Sequence, residues 1–572
     1  MNIKDFNNLN DLFFYQAKKQ DPKNIFLHWL NPVNKKQFSW SDVELNIQKL
    51  AIVLKKIVKE GDRVLLVSEN RPEWLIADLS IMLSGAITVP AYTTYTEEDY
   101  NYLIEDCEPS VVIVSNNKIY KKLEKIIKEK QFIKKIITFD NIPGMNYQDK
   151  YLEFKSITLK NLSDSKKIIS SNRKRISPAC IIYTSGTGGN PKGVILTHGG
   201  ILNNIEGANQ ILKSLMDTKP TFLTWLPLSH SYEHTVQFVQ IAVGAKVFYA
   251  EKIEKLLDNM SEARPTIMTA VPRFYQNLYN KININFKKAS GFKSKLINAT
   301  IILGKKKLLK EKMNILEKTV NFILSILVRK KIKKQFGGRL KAFVSGGGAL
   351  DKDIGEFLNA IGLPTLQGYG LTEASPVVSC NPINKIRVDT VGPPFSGNLV
   401  KIADDGEILV KGENIMLGYW NKKEDTQSAI KDGWLYTGDI GEIDPEDGYL
   451  KITDRKKDII VSAGGDNISP AKVENQLTNS LAVEQCMVYG DRKNYLVALI
   501  VPSKEYKGNK DKIAETVNII NKNLSPVEKV KKFHLIEDNF SIENGLLTPT
   551  MKIKRNKIIE KYKNTLENFY KK

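Results

Sequence analysis

Apolar residues along the chain follow two rhythms, short runs and helical repeats. Residues 63–67 (RVLLV), 110–115 (SVVIVS) and 136–139 (IITF) are short apolar runs and predict buried strands. Residues 72–84 predict a helix, and 86–89 another strand behind it. The habit recurs at 221–226, 245–249, 266–270 and 342–345. Strands alternating with helices predict parallel sheets covered by helices, an α/β fold. The longest apolar stretch, 74–91, is broken by Asp78, Ser80, Ser84, Gly85 and Pro90. It reads as a buried helix running into a strand, not as a membrane span.

Two regions change this texture. Residues 281–336 read as long, basic and helical. Leu308, Leu309, Met313, Leu316, Val320, Ile323, Leu324 and Leu327 fall at helical spacing among Lys305, Lys306, Lys307, Lys310, Lys312, Lys330, Lys331, Lys333 and Lys334. Two readings stay open: an amphipathic hairpin packed on the core with its lysines in water, or a face resting on anionic lipid. From 391 onward, short strands and Gly-rich turns follow (406–410, 448–452), then the charged run 454–458. The last block has its own strands at 485–490 and 496–501. The expected organisation is a large N-terminal domain of helix-covered sheets, 1–453, and a small α+β domain, 454–572, with the boundary at the charged run 454–458.

Composition narrows the function classes. A chain of 572 residues implies two or more domains, and 42% hydrophobic residues is ordinary for a globular protein. The net charge of +22 is spread along the whole chain without a recognition motif, which argues against nucleic acid. Cys107, Cys180, Cys380 and Cys486 form no C-x-x-C pair, so neither a zinc site nor a disulfide framework is expected. Reduced thiols and a polar, acid-bearing start without a signal-peptide pattern imply a cytoplasmic protein. Contact with the inner membrane face would then be peripheral.

Four motifs carry chemistry. Residues 183–193 (YTSGTGGNPKG) combine small residues, hydroxyls and Lys192 in a composition that cradles phosphate. Strands are expected at 180–184 and 193–197. This is therefore not a P-loop, which would lead into a helix. Residues 367–373 (QGYGLTE) pair an aromatic ring with a hydroxyl and a carboxylate able to hold Mg²⁺. Residues 436–439 (YTGD) place an acid on a turn, where ribose hydroxyls could donate to it. The charged run 454–458 is followed by SAGG at 462–465. Singly, each has a plain structural alternative: a hairpin loop, a buried tyrosine, a turn, a solvated surface.

In this order, with SGGGAL (345–350), GYWN (418–421) and LTPTMKIKR (547–555), they resemble the adenylate-forming superfamily of acyl-CoA synthetases, luciferases and adenylation domains. The resemblance covers nearly the whole chain. It implies attack of a carboxylate on the α-phosphate of ATP, giving acyl-adenylate and pyrophosphate, then displacement of AMP by a thiol. By the resemblance, Thr184, Ser185, Gly186, Thr187, Gly188 and Lys192 hold the β/γ-phosphates. Gly347, Gly348, Ala349, Gln367, Gly368, Tyr369 and Gly370 frame adenine and the acyl entrance. Thr372 touches the α-phosphate, Thr187 and Glu373 bind Mg²⁺, and Asp439 and Arg455 hold ribose. Lys552 bridges carboxylate and α-phosphate, Lys457 is the hinge, and Gly464–Gly465 line the CoA path. Met551 stands where many members have glycine.

Residues 225–234 (WLPLSHSYEH) and the 547–555 ending look like the long-chain fatty acyl-CoA synthetase branch, with His230 beside the substrate carboxylate. Its plain alternative is a core or capping histidine. The implied substrates are a fatty acid, ATP and CoA. Three rival readings remain: a ligase for another carboxylic acid, an enzyme loading acyl carrier protein, and a catalytically silent lipid- or nucleotide-binding homologue. Chain length and oligomeric state are not legible.

Overall fold

The computed structural model describes residues 1–31, 33, 35–148, 150–160, 167–168, 170–184, 190–215, 219–250, 252–548 and 551–571. Two eight-stranded sheets dominate them. One passes, in spatial order, through Val377–Cys380, Thr365–Gly370, Ala342–Ser345, Ile267–Ala270, Thr221–Thr224, Lys246–Tyr249, Ile25–Trp29 and Lys36–Ser39. It is parallel except at its two edge pairs. The other passes through Gly418–Tyr419, Lys192–Thr197, Pro178–Thr184, Ile87–Ala91, Arg63–Val67, Val111–Val114, Lys135–Thr138 and Tyr151–Glu153. Its antiparallel pairs are the Pro178–Thr184 hairpin with Lys192–Thr197 and the next pair out, with Gly418–Tyr419.

Helices Leu9–Lys19, Trp40–Lys55, Pro72–Leu83, His198–Leu212 and Ser231–Ala242 share one hydrophobic core with strands of both sheets. Pro72 sits in the first turn of its helix, where a missing N–H breaks no hydrogen bond, and all of Pro72–Leu83 is buried. Gly85, at φ +91°, then turns the chain into the buried strand Ile87–Ala91. The apolar stretch 74–91 is thus a core helix and a core strand.

Residues 281–336 are helical, as expected, but in several pieces. They form the end of Pro272–Lys287, then Gly291–Leu308, Ile315–Leu324, a π-helical turn Ser325–Arg329, and Lys330–Gln335. Lys310, in the left-handed region at φ 56°, breaks the helix soon after Leu308. Leu309, Leu316, Ile323 and Leu327 are exposed, Leu324 is buried, and Lys333 is half-buried.

Strand Leu450–Arg455 belongs to a five-stranded sheet and sets Arg455 opposite Asp439 and Asp454 opposite Ile440. The first two residues of the charged run are therefore strand, not linker. Beyond it stand the pair Ile460–Val461 and Asn467–Ile468 and a sheet of Val483–Tyr489, Leu496–Pro502 and Val530–Leu535. Helices Pro470–Thr478 and Lys510–Asn521 accompany them, around hydrophobic clusters of their own.

Candidate active site

A cavity of about 2060 Å³ is walled by residues from both sheets and by the C-terminal segment. On one wall the Pro178–Thr184 and Lys192–Thr197 hairpin brings Thr184 opposite Lys192. The connecting Ser185, Gly186, Thr187 and Gly188 lie outside the described residues. Gly193 allows the close packing beneath: a Cβ there would stand 2.8 Å from Ile181 Cγ2 and 3.0 Å from Tyr183 Cζ. The Lys192 ammonium is 2.7 Å from Asp425 Oδ1 and 5.1 Å from the Tyr419 ring centre. Tyr419 in turn donates to Glu373 Oε1 at 2.9 Å. The wall is a relay of cation, aromatic hydroxyl and carboxylates.

Metal capacity is modest. Among the described residues no group of three or more metal-ligating side chains exists. Glu373 offers a single carboxylate to the cavity. That suits Mg²⁺, which keeps several waters and takes substrate phosphate oxygens alongside one or two carboxylates.

Across the cavity, Asp439 is buried and both its oxygens are engaged. Arg455 Nε donates to Oδ1 at 2.9 Å and Tyr369 Oη donates to Oδ2 at 2.7 Å. Burial opposes the Arg455 charge, but Asp439 outweighs it and leaves the pKa raised. Burial, with Asp439, lifts the Tyr369 phenol well above its ordinary value, so it stays a donor.

His230 is both a cap and a cavity residue. It precedes helix Ser231–Ala242, and its Nδ1 accepts from the Tyr232 backbone N–H at 3.2 Å. Burial, then the nearby Lys552 charge, push its pKa down to about 3. The ring is neutral with Nδ1 used as acceptor, so its proton is on Nε2, free to donate to an anion. Next to it, Ser231 Oγ lies 3.0 Å from Thr372 Oγ1. Gly346 packs on the Tyr232 ring, where a Cβ would approach Cζ to 2.9 Å.

Lys552 reaches the same cavity from the C-terminal segment. Its N–H donates to Thr548 Oγ1 at 3.0 Å, and Thr548 N–H donates to its carbonyl at 2.8 Å. Met551, at φ 66°, makes the turn. A glycine at that position would adopt this conformation without strain. Lys552 lines the cavity with its side chain exposed. Desolvation by the surrounding walls, then the Arg455 charge, lower its pKa to about 8, against the pull of Asp439 and Asp458.

The other expected residues divide. Gly347, Gly368, Gly370, Thr372 and Lys457 line the cavity. Gln367 is buried in its strand, its carbonyl taken by Asn381. Gly348 and Ala349 are exposed and do not line it. Gly464 and Gly465 are exposed on a tight turn, closed by Gly465 N–H donating to Ser462 O, away from the lining. Sequence reasoning gave no role to Tyr419, Asp425 or Ser231. The GYWN stretch was the one signal that pointed near Tyr419.

Apolar side chains also line the cavity, among them Ala208, Leu212, Phe222, Val239, Ile267 and Phe395, here called its apolar arm. At Gly207 a Cβ would stand 2.1 Å from Phe395 Cδ2, so the helix touches the ring through its backbone.

Known proteins match this chain over most of its length. The AMP-binding enzyme family matches residues 13–420, and the AMP-binding enzyme C-terminal domain matches residues 457–572. Long-chain-fatty-acid–CoA ligase FadD15 of Mycobacterium bovis is 32% identical, covering 90% of this chain and 89% of its own. Long-chain-fatty-acid–CoA ligase 5 of Rattus norvegicus is also 32% identical, over 88% and 79%. Among solved structures, the anthranilate CoA ligase AuaEII in complex with anthranoyl-AMP shares the fold at a TM-score of 0.78. The identity there is 21%, covering 99% of this chain and all of that one.

Proposed function

The chain belongs to the AMP-binding enzyme family, and on that premise we propose that it joins a long-chain fatty acid to CoA through an acyl-AMP intermediate. In the first step a carboxylate oxygen bonds to the α-phosphorus of ATP and pyrophosphate leaves. In the second, the CoA sulfur bonds to the acyl carbon and AMP leaves. The observation that carries this reading is the meeting of Lys552, from the C-terminal segment, with His230, Thr372 and Glu373 in one cavity that continues into an apolar arm. That is a site for an anionic head and a long apolar tail.

Each residue has a defined task. Neutral His230 donates Nε2–H to the fatty carboxylate. Lys552 supplies a point cation where carboxylate and α-phosphate oxygens approach and charge builds. Thr372, backed by Ser231, donates to the α-phosphate. Lys192 leaves Asp425 to hold the outer phosphates with Thr184 and residues 185–188. Asp439 and Arg455 receive the ribose hydroxyls. Gly347, Gly368, Tyr369 and Gly370 give adenine a flat slot, with Gln367 behind it; Gly348 and Ala349, outside the lining, take no part. Glu373, with Thr187, would hold Mg²⁺, which neutralises phosphate charge when bound. Each methylene that enters the apolar arm contributes about 0.8 kcal/mol, which favours long acids.

The arrangement with Lys552 inside suits the first step. For the second, we assign the hinge to Lys457, just past the strand that ends at Arg455, so the division expected between 1–453 and 454–572 falls a few residues later. Rotation there would withdraw Lys552 and bring Gly464–Gly465 to the CoA path. Four buried, unpaired cysteines suit a reducing, cytoplasmic setting. No helix among the described residues is long and apolar enough to cross a membrane.

The test is AMP release measured with fatty acids of graded length, with CoA, with acyl carrier protein and with neither. Long acids with CoA should give the largest rate. No release with any fatty acid would overturn the reading, and release only with carrier protein would reassign the acceptor.

A further inference from the structure

The continuous helical stretch from Ile315 to Gln335 is apolar on two opposite sides. Its inner side is docked on the body. Leu324 and Ile332 are buried there. Arg329 turns inward and donates to the carbonyl oxygens of Ala360 at 2.8 Å, Thr300 at 3.0 Å and Asn321 at 3.1 Å, and to Ser325 Oγ at 3.0 Å. Gly362 makes room for it, since a Cβ there would stand 2.8 Å from Arg329 Cβ. This side needs no further partner.

The outer side should be polar in a helix that faces water. Instead Ile315 is 85% exposed, Leu316 71%, Phe322 67% and Ile326 53%, with Ile323 and Leu327 also exposed. Steps of seven and four residues put these six on one outward stripe. Such a contiguous apolar patch marks an interaction surface. Lysines flank it: Lys310, Lys312 and Lys318 at one end, Lys330, Lys331 and Lys334 at the other, all exposed. Acids are scarce. Between residues 305 and 335 the chain has Glu311 and Glu317, and Glu317 is held by Lys306 at 2.7 Å.

We propose that this stripe is a membrane-docking surface that lies on a bilayer containing anionic lipid. The apolar side chains would enter the headgroup boundary and the flanking lysines would meet lipid phosphates. Charge selects this occupant over a second copy of the chain, because each copy carries a net +22 and repels its like. The location also suits a lipid-soluble substrate. Ile332 and Phe336, on the inner side, pack with Met268 and Ala270 in one cluster. The alternate residues of that same strand, Ile267 and Thr269, line the cavity. One strand separates the docking helix from the apolar arm. The docking surface itself does not depend on the ligase reading.

The experiment is co-sedimentation of the full chain with phosphatidylcholine vesicles, with and without phosphatidylglycerol. Binding should require phosphatidylglycerol and weaken with salt. Two variants, Phe322→Ser with Ile326→Ser, and Lys330→Gln with Lys331→Gln and Lys334→Gln, should each lower the partition constant at least about tenfold. Both should keep the parent's melting temperature and its activity on a short, water-soluble acid. Lys121→Gln with Lys125→Gln, on a distant exposed helix face, should bind like the parent. Equal binding to neutral and anionic vesicles would overturn the proposal. So would binding unmoved by the stripe variants, or a dimer in sedimentation velocity that Phe322→Ser abolishes.

Discussion

Asp439 and Arg455 stand opposite each other on neighbouring antiparallel strands, joined by a 2.9 Å hydrogen bond, with Tyr369 closing the other carboxylate oxygen. The carboxylate is thus held in place before any nucleotide arrives. Asp439→Asn keeps the shape but removes the charge and the pull on Arg455. The KM for ATP should rise roughly tenfold or more, the loss for one charge-assisted hydrogen bond, while the KM for fatty acid changes little. An unchanged ATP KM would remove Asp439 from the nucleotide site.

Lys552 should matter for one half-reaction only. Lys552→Ala is expected to slow acyl-adenylate formation by about 10²–10³-fold and to spare thioester formation from supplied acyl-AMP. The wild-type lysine is charged below its pKa of about 8 and loses its proton above it. Therefore kcat/KM for adenylation should fall as pH rises through about 8. Lys552→Arg should move that alkaline limb upward, because guanidinium stays charged. Equal loss in both half-reactions would indicate a structural fault instead.

The turn before that lysine is strained. Met551 adopts φ 66°, a conformation costing a side-chain-bearing residue about 1 kcal/mol that glycine avoids. Met551→Gly should leave the adenylation rate at or above the parent's, and Met551→Val should lower it. The reverse order in a pyrophosphate-exchange assay would show that the turn is not used in the reaction.

His230 carries two separable tasks. Its Nδ1 caps helix Ser231–Ala242, and its ring is part of the cavity lining. Asparagine can cap but cannot reach as far. His230→Asn should keep thermal stability and raise the fatty acid KM. His230→Ala should raise the KM and also cost about 1 kcal/mol of stability. Calorimetry alongside kinetics separates the two.

Gly207 meets Phe395 without a side chain between them. Gly207→Ala must displace that ring, which lines the cavity, because a Cβ would stand 2.1 Å from Cδ2. Competition between octanoate and hexadecanoate should shift toward octanoate. No shift would place the acyl tail elsewhere.

Much of this molecule follows from local chemistry. Apolar runs such as 63–67 and 111–114 are strands because β-branched and leucine side chains fill a sheet buried on both faces. The 180–197 hairpin, the turn ending at Asp439 and the order of the motifs are written in contiguous residues, and they determine fold class and family. Pairings were not legible. Ser231 meets Thr372 across 141 residues of chain, and Tyr419 meets Glu373 across 46. Such meetings depend on how sheets register and loops close, which no local period encodes. The helix from 315 to 335 makes the same point about faces. Apolar side chains recur on both of its sides, so periodicity predicts a helix but cannot choose which side is buried. Only the docking of Arg329, Leu324 and Ile332 on the body turned Ile315, Phe322 and Ile326 outward.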